Sequence, residues 1–200
     1  MDLDRFYARH ARIYDATRFY LFDRARAIDA LDVRRGDRVV DFACGTGMNF
    51  PHLARRGAQI VGVDASEAML ERARRRAPEA TLHRADVTAF DPGPADRALC
   101  TYSLSMVAAW EDALARMAAT LGPDGRLVVL DFDTFRGGAA WLAPAQRAWF
   151  RAFAVALSLP VEEALSAHFH DVHRESRHAG WNFLVHAARP KRPRPAGASS

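Results

Sequence analysis

The sequence predicts an α/β fold: a doubly wound, mostly parallel sheet of seven strands that ends in an antiparallel hairpin. Two observations lead to this prediction. Short apolar runs alternate with helical segments from residue 38 to residue 132, which is typical of strand–helix–strand units. A final segment, residues 168–188, is expected to form the hairpin. Ligands of such sheets bind beyond the carboxyl ends of the strands, so those ends are the first place to search for a site.

Each element follows from a local pattern of apolar residues and breakers. Strands are expected at 38–42, 59–63, 81–83, 97–102 and 126–132, before the hairpin at 168–188. Helices are expected at 4–31, about 48–55, 66–76 and 111–120. Gly57 and Pro78 end the second and third helices, and Ser66 is expected to cap the third.

Two segments outside the alternating core are expected to lie on the substrate side of the site. They are a helical N-terminal segment, 1–35, and a helical insert or lid, 134–167. The insert interleaves Trp141 and Trp149 with Arg147 and Arg151, a pattern that can cover a pocket, lie on a membrane or pack on the sheet. We expect one domain over residues 1–188 and a disordered basic tail over 189–200.

Composition indicates a single globular domain. The chain has 200 residues, of which 50% are hydrophobic and 26% charged, and a net charge of +4. Its apolar runs are all shorter than the roughly 20 residues that cross a bilayer. Cys44 and Cys100 are too few for a disulfide framework. We expect a cytoplasmic protein whose basic tail is either a solvated end or a contact with the anionic inner face of the membrane.

The most informative motif joins a glycine turn to a carboxylate. The apolar run at 39–42 leads into a Gly45–Thr46–Gly47 turn, which brings the backbone close to a ligand. The next apolar run ends at Asp64, whose oxygens suit two neighbouring ribose hydroxyls. Phe50 stands where a dinucleotide fingerprint needs glycine, and no Gly-Lys-Ser/Thr follows, which excludes a P-loop. These residues predict a nucleoside site.

The stretch Asp-Phe-Ala-Cys-Gly-Thr-Gly, residues 41–47, resembles motif I of the class I S-adenosylmethionine-dependent methyltransferases. The resemblance continues in order through 60–64, 66–70, 84–87 and 121–127, about ninety residues in all. It implies a Rossmann-like methyltransferase fold and S-adenosylmethionine as cofactor, with S-adenosylhomocysteine as product. The cofactor-binding residues that it implies are Asp41, Ala43, Cys44, Gly45, Gly47, Asn49, Asp64, Ala65, Met69, Ala85, Asp86, Val87 and Tyr102.

Three further pieces, residues 13–24, 45–49 and 102–106, resemble bacterial methyltransferases that N-methylate the head-group amine of betaine lipids, and their phospholipid counterparts. The resemblance implies a lipid head-group amine as acceptor. The implied substrate-binding residues are Tyr7, Tyr14, Arg18, Tyr20, Ser103 and Trp110, and Tyr14 and Tyr102 are the catalytic candidates. Aromatic faces can stabilise a developing cation, although core packing is the ordinary role of a tyrosine.

Other functions remain open at this point. A soluble methyltransferase could act on a small amine, hydroxyl or carboxyl group, and a nucleotide-binding domain could be non-catalytic or an oxidoreductase. A nucleic-acid substrate is not expected, because the fourth strand is followed by no Asn/Asp-Pro-Pro-Tyr stretch. His168 and His170 could share a strand face as a base, but methyl transfer from a sulfonium needs no metal and none is expected.

Overall fold

The structure is a computed structural model that describes residues 23–151 and 155–191. These residues form a sheet of seven strands in the order β3-β2-β1-β4-β5-β7-β6. The strands are β1 (Arg38–Phe42), β2 (Gln59–Asp64), β3 (Thr81–Arg84), β4 (Ala95–Thr101), β5 (Leu121–Phe132), β6 (Phe169–Arg177) and β7 (Asn182–Pro190). The first five are parallel, and β7 pairs antiparallel with both β5 and β6. The predicted fold class is confirmed.

Six α-helices are described around this sheet: α1 (Arg24–Ala30), α2 (Phe50–Arg55), α3 (Glu67–Arg76), α4 (Trp110–Thr120), α5 (Ala143–Arg151) and α6 (Val161–Ser166). Short 3₁₀ turns occupy Leu104–Met106, Gly137–Leu142 and His178–Gly180. The predicted helices at 48–55, 66–76 and 111–120 correspond to α2, α3 and α4. Of the predicted helix at 4–31, only α1 lies within the described residues.

The core consists of two apolar clusters. One contains side chains of α1, α2, α3 and α5, including Ile28, Leu53 and Phe150. The other contains side chains of α4 and α6, including Met117 and Leu165. Neighbouring strand residues contribute to different clusters, because successive side chains of a strand point to opposite faces. Helices on both faces bury the sheet, which is why its parallel strands read as continuous apolar runs.

The structure corrects three details of the prediction. β5 begins at Leu121 rather than at residue 126, with an irregular register between Ala95 and Arg97 of β4. Ser66 precedes α3, but its side chain makes no capping hydrogen bond. β7 runs to Pro190, and the Arg189 guanidinium pairs with Asp171, so the first residues of the predicted tail belong to the sheet. Residues 192–200 lie outside the described residues.

None of the helices within residues 23–151 and 155–191 combines the length and the apolar character that crossing a membrane requires.

Candidate cofactor site

The site lies where the order of the strands reverses: the chain forms β1, β2 and β3 towards one edge of the sheet and then returns to form β4 on the other side of β1. β1 is flanked by β2 on one side and β4 on the other, and the loops after these strands diverge at their carboxyl ends. Such a switch point leaves a crevice for a ligand. A cavity of about 320 Å³ occupies this position. Its lining residues are Ala43, Gly45, Asp64, Ala65, Met69, Ala85, Asp86, Val87, Ser103, Met106, Val107 and Ala108.

The turn after β1 is a run of left-handed backbone. Ala43, Gly45 and Gly47 have φ values of 52°, 55° and 70°. A Cβ atom on Gly47 would lie 2.5 Å from the ring of Phe50, whereas one on Gly45 would have no neighbour within 4 Å. Ala43 adopts the left-handed conformation although it has a side chain, which costs about 1–2 kcal/mol. The turn therefore has open space beside Gly45, whereas Gly47 packs tightly against Phe50.

The carboxylate of Asp64 connects two loops of the cavity. Its Oδ2 accepts a hydrogen bond from the Gly45 amide at 2.8 Å, and its Oδ1 accepts one from the Ser66 amide at 2.9 Å. The two bonds hold the carboxylate in place at the cavity wall. A carboxylate has about four lone-pair sites, so two bonds leave acceptor capacity for the hydroxyls of a ribose.

Asp86 provides a second fixed acceptor in the cavity lining. Its Oδ1 accepts from the Thr88 amide at 2.9 Å and from the Thr88 hydroxyl at 2.7 Å. These hydrogen bonds lower the pKa of Asp86 below its ordinary value, so it is ionised at neutral pH. Its Oδ2 is suited to accept from an exocyclic amine such as that of adenine.

Behind the glycine turn, Asp41 lies in a fully buried polar network. Its Oδ2 accepts from Asn49 Nδ2 at 2.9 Å, and the same amide donates to Thr101 Oγ1 at 3.0 Å. Arg24 adds bonds to Asn49 and Thr101. Within the described part of the chain, Asp41 Oδ1 has no hydrogen-bond partner. A buried acceptor without a partner is costly unless a ligand supplies a donor.

Replacing Asp41 with asparagine should raise stability above pH 7 and flatten its pH dependence. Burial raises the pKa of Asp41 from 3.8 to about 7. Between these values the folded chain keeps a proton that the unfolded chain has released. The free energy of unfolding therefore falls as pH rises, by about 1.4 kcal/mol per pH unit. Urea unfolding at pH 5, 6, 7 and 8 measures the slope.

The asparagine variant should lose the part of the slope that arises from Asp41. It should keep the contributions of other groups, among them Asp131, whose pKa burial raises to about 6, and His52 and His186, whose pKa values burial lowers. Asp124→Asn, at an exposed position near the beginning of β5, is the matched control and should follow the wild type. Parallel stability curves for Asp41→Asn and the wild type would contradict the assignment of a raised pKa to Asp41.

The predicted site residues divide into two groups. Eight of the predicted cofactor residues line the cavity: Ala43, Gly45, Asp64, Ala65, Met69, Ala85, Asp86 and Val87. Asp41, Cys44, Gly47 and Asn49 support the turn from behind and are buried. Ser103, predicted to bind the substrate, also lines the cavity and donates to the carbonyl of Ala43 or of Thr101. Trp110, its predicted neighbour, is half-buried against the core and does not line the cavity.

Tyr102 is placed differently from the prediction. Its backbone has φ 55°, its side chain is fully buried, and its ring lies 4.9 Å from that of Phe132. Its hydroxyl accepts from Asn182 Nδ2 at 2.8 Å. Burial raises the pKa of this phenol well above its ordinary value. Tyr102 thus packs in the core and does not line the cavity that the described residues form.

The remaining predictions fall elsewhere. Tyr7, Tyr14, Arg18 and Tyr20 lie outside the described residues. His168 immediately precedes the edge strand β6 and His170 is its second residue, and neither lines the cavity. The cavity also has an apolar wall of Met106, Val107 and Ala108, which were not among the predicted site residues. They could have been found from their position just after the fourth strand, because the loop there must approach the switch point of the sheet.

The methyltransferase domain family matches residues 7–180 of this sequence. The chain belongs to this methyltransferase family. A demethylmenaquinone methyltransferase of Beutenbergia cavernae is 35% identical over 132 residues, covering 62% of this chain and 55% of the relative. A dTDP-3-amino-3,6-dideoxy-α-D-glucopyranose N,N-dimethyltransferase of Streptomyces fradiae is 42% identical over 96 residues, covering 46% of this chain and 38% of the relative.

A solved structure has the same fold. Phosphoethanolamine N-methyltransferase 2 of Haemonchus contortus, in complex with S-adenosyl-L-methionine, superposes with a TM-score of 0.71 at 15% identity. The match covers 83% of this chain and 52% of that one. The chain thus spans about half the length of the relatives that it matches. S-adenosyl-L-methionine, which that neighbour binds, is also the cofactor that motif I of this sequence implies.

The residues present fit this cofactor. Asp64 and Asp86 offer fixed acceptors for ribose hydroxyls and for the adenine amine, and the backbone at Gly45 leaves open space beside them. The unpartnered Oδ1 of Asp41, behind the same turn, suits the ammonium group of the methionine part. The wall from Met106 to Ala108 suits the adenine ring.

Proposed function

We propose that this methyltransferase N-methylates an amine carried by a lipid head group. The observation that carries the proposal is a pair of exposed tryptophans on the insert after β5. Trp141 is 76% exposed and Trp149 is 58% exposed, and they flank the exposed Arg147 on or next to α5. Tryptophan is enriched at membrane–water interfaces, and arginine binds anionic head groups.

The insert is anchored where a head group would have to enter. Gln146 of α5 is buried, and its Nε2 donates to the Asp133 carbonyl at 3.0 Å, while its Oε1 accepts from the Phe135 amide at 2.9 Å. These bonds tie α5 to the chain that leaves the carboxyl end of β5. The exposed tryptophans therefore lie on the same edge of the sheet as the cofactor cavity, which supports a lipid acceptor.

The chain's own residues have to position two reactants and exclude water. Asp64 holds the ribose, Asp86 holds the adenine, and Met106 and Val107 keep the cavity wall apolar. When bound, the cofactor would supply a methyl group activated as part of a sulfonium, which the lone pair of the amine would accept. Alignment of this kind can contribute roughly 7–11 kcal/mol.

We also propose that the amine is contacted by four residues of the N-terminal segment: Tyr14, Tyr7, Arg18 and Tyr20. Tyr102 is retained only as a support for the end of β4, because its hydroxyl is already bonded to Asn182. The names of two similar proteins, a sugar N,N-dimethyltransferase and a phosphoethanolamine N-methyltransferase, favour nitrogen as the accepting atom.

The second candidate is a soluble small-molecule N- or O-methyltransferase. The similar sugar N,N-dimethyltransferase and a trans-aconitate 2-methyltransferase of Paracidovorax citrulli, 40% identical over 96 residues, support it. An oxygen acceptor that arrives as a hydroxyl would need a general base, whereas an amine needs only to be deprotonated before attack.

The two candidates differ in their need for a membrane. We expect methyl transfer to phosphatidylethanolamine in vesicles with phosphatidylglycerol, measured as S-adenosylhomocysteine formed and as methylated lipid by mass spectrometry. The Trp141→Ser/Trp149→Ser variant should lose at least about tenfold of this activity and of vesicle binding, because each exposed indole that enters the interface contributes to attachment.

Binding of S-adenosylhomocysteine by the tryptophan variant serves as the control for folding and should equal that of the wild type. Faster methylation of water-soluble amines without vesicles, unaffected by the two substitutions, would replace the lipid proposal with the soluble one.

A further inference from the structure

A second cavity, of about 410 Å³, opens beyond the carboxyl end of β5. Its lining residues are Thr134, Arg147, Arg151, Val155, Ala156, Leu157 and Ser158. The Ala156 amide donates to the Ser105 carbonyl at 2.8 Å. Ser105 belongs to the Leu104–Met106 turn, and Met106 lines the cofactor cavity. The Leu104–Met106 turn therefore contributes Met106 to the cofactor cavity and is hydrogen-bonded to a residue that lines the second cavity.

The cationic wall of this cavity comes from α5. Arg147 and Arg151 are four residues apart, so their side chains lie on one face of the helix. Both are exposed, and neither pairs with a carboxylate among residues 23–151 and 155–191. Two like charges at this spacing repel each other unless an anion lies between them. Guanidinium groups bind phosphate and carboxylate through paired N–H donors.

The lining also contains two hydroxyl groups, of Thr134 and Ser158, whose protons are donated within a hydrogen-bond chain. Ser158 Oγ donates to Asp133 Oδ1 at 2.7 Å, so it accepts from Thr134 Oγ1, which lies 2.8 Å away. Asp133 is buried, and Arg174 Nη2 donates to its Oδ2 at 2.9 Å. Burial alone would raise the pKa of Asp133, but hydrogen bonds from Ser158, Thr134 and Arg174 lower it below its ordinary value.

The ionised Asp133 sets the direction of this hydrogen-bond chain. A carboxylate can only accept, so the Ser158 proton points to Asp133 and the Thr134 proton points to Ser158. Thr134 Oγ1 then has lone pairs, and no proton, to offer to a ligand. The cavity combines donors for an anion on one wall with an acceptor for an N–H group on the other.

We propose that this second cavity binds the methyl acceptor, and that the acceptor is an amine that also carries a phosphate or carboxylate group. Arg147 and Arg151 bind the anionic group, and Thr134 Oγ1 accepts a hydrogen bond from the amine. The inference rests on the proposed function. The anionic group can belong to a lipid head group or to a free metabolite, since both present the same chemistry to the arginines.

Calorimetric titration of the protein saturated with S-adenosylhomocysteine tests the cavity directly. The probes are ethanolamine, phosphoethanolamine and β-alanine, which share a primary amine and differ in the anionic group. We expect at least one anionic probe to bind at least tenfold more tightly than ethanolamine. Arg147→Gln/Arg151→Gln should abolish that difference, whereas Arg75→Gln, an exposed arginine on α3, should keep it.

A second variant separates the amine contact from the anion contact. Thr134→Val keeps the shape of the side chain but removes the acceptor, so all three probes should bind several times more weakly and the preference for the anionic probes should persist. Sedimentation with phosphatidylethanolamine vesicles distinguishes the sources: binding to vesicles that is lost in the double arginine variant identifies a lipid head group, and binding to free phosphoethanolamine or β-alanine alone identifies a metabolite.

Equal binding of the anionic probes and vesicles by the wild type and the double arginine variant would overturn the inference, as would equal binding of all three probes by the wild type. Affinity for S-adenosylhomocysteine is measured in each protein beforehand. An unchanged value shows that the variants are folded, whereas its absence in the wild type would instead reject the proposed function.

Discussion

Replacing Asp64 with alanine is expected to weaken the binding of S-adenosylhomocysteine about a hundredfold. The carboxylate offers its remaining lone pairs to two ribose hydroxyls, and a hydrogen bond to a charged group contributes about 1.5–3 kcal/mol. The same side chain also accepts from the amides of Gly45 and Ser66, so its removal loosens two walls of the cavity. A loss of about 2.7 kcal/mol corresponds to a hundredfold change in Kd, which calorimetric titration measures.

Two further variants make the Asp64 result specific. Asp124→Ala removes a carboxylate from an exposed position near the beginning of β5 and should leave the affinity unchanged. Asp64→Asn keeps one carbonyl acceptor but replaces the other with a donor, so its affinity should fall between those of the wild type and Asp64→Ala. An Asp64→Ala protein that binds within a factor of two of the wild type would remove Asp64 from the cofactor site.

The strands and the cofactor loops could be predicted from the sequence because each is indicated by a pattern of residues close together in the chain. The apolar runs of β1 and β2 are continuous since both faces of these strands are covered by helices. A Gly-x-Gly turn and the terminal carboxylate of Asp64 then reach the same edge of a parallel sheet. Gly45 of that turn and Asp64 both line the observed cavity.

The position of Tyr102 could not be predicted in the same way. A residue at the end of a parallel strand can face the ligand or turn into the core, and its backbone torsion decides which. At Tyr102 that torsion is φ 55°, a region that residues other than glycine rarely adopt. The ring then packs on Phe132, and Asn182, eighty residues along the chain, donates a hydrogen bond to the tyrosine hydroxyl. No local pattern indicates such a contact.

The second cavity also depends on distant residues. Thr134 and Ser158 are 24 residues apart, and Arg174 reaches Asp133 from β6, on the far edge of the sheet. In the sequence, Arg147 and Arg151 showed only a cationic helix, which can cover a pocket, lie on a membrane or pack on the sheet. Their common cavity with Thr134 and Ser158 became visible only from the folded chain.

Replacing Gly47 with alanine is expected to destabilise the protein by about 3 kcal/mol. The left-handed backbone at φ 70° costs an alanine about 1–2 kcal/mol. The new Cβ would also lie 2.5 Å from the ring of Phe50, which is fully buried, and overpacking of this kind costs about 1–3 kcal/mol. The melting temperature should fall by roughly 6–12 °C in calorimetry.

Gly45→Ala is the matched control, because it introduces the same left-handed strain at φ 55° with no neighbour within 4 Å. It should cost only about 1 kcal/mol, and the difference between the two variants measures the contact with Phe50. In a Phe50→Leu background the ring is absent, so the cost of Gly47→Ala should approach that of Gly45→Ala. If both glycine substitutions cost the same in the wild-type background, the tight packing beneath the turn does not contribute, and backbone conformation alone explains the two glycines.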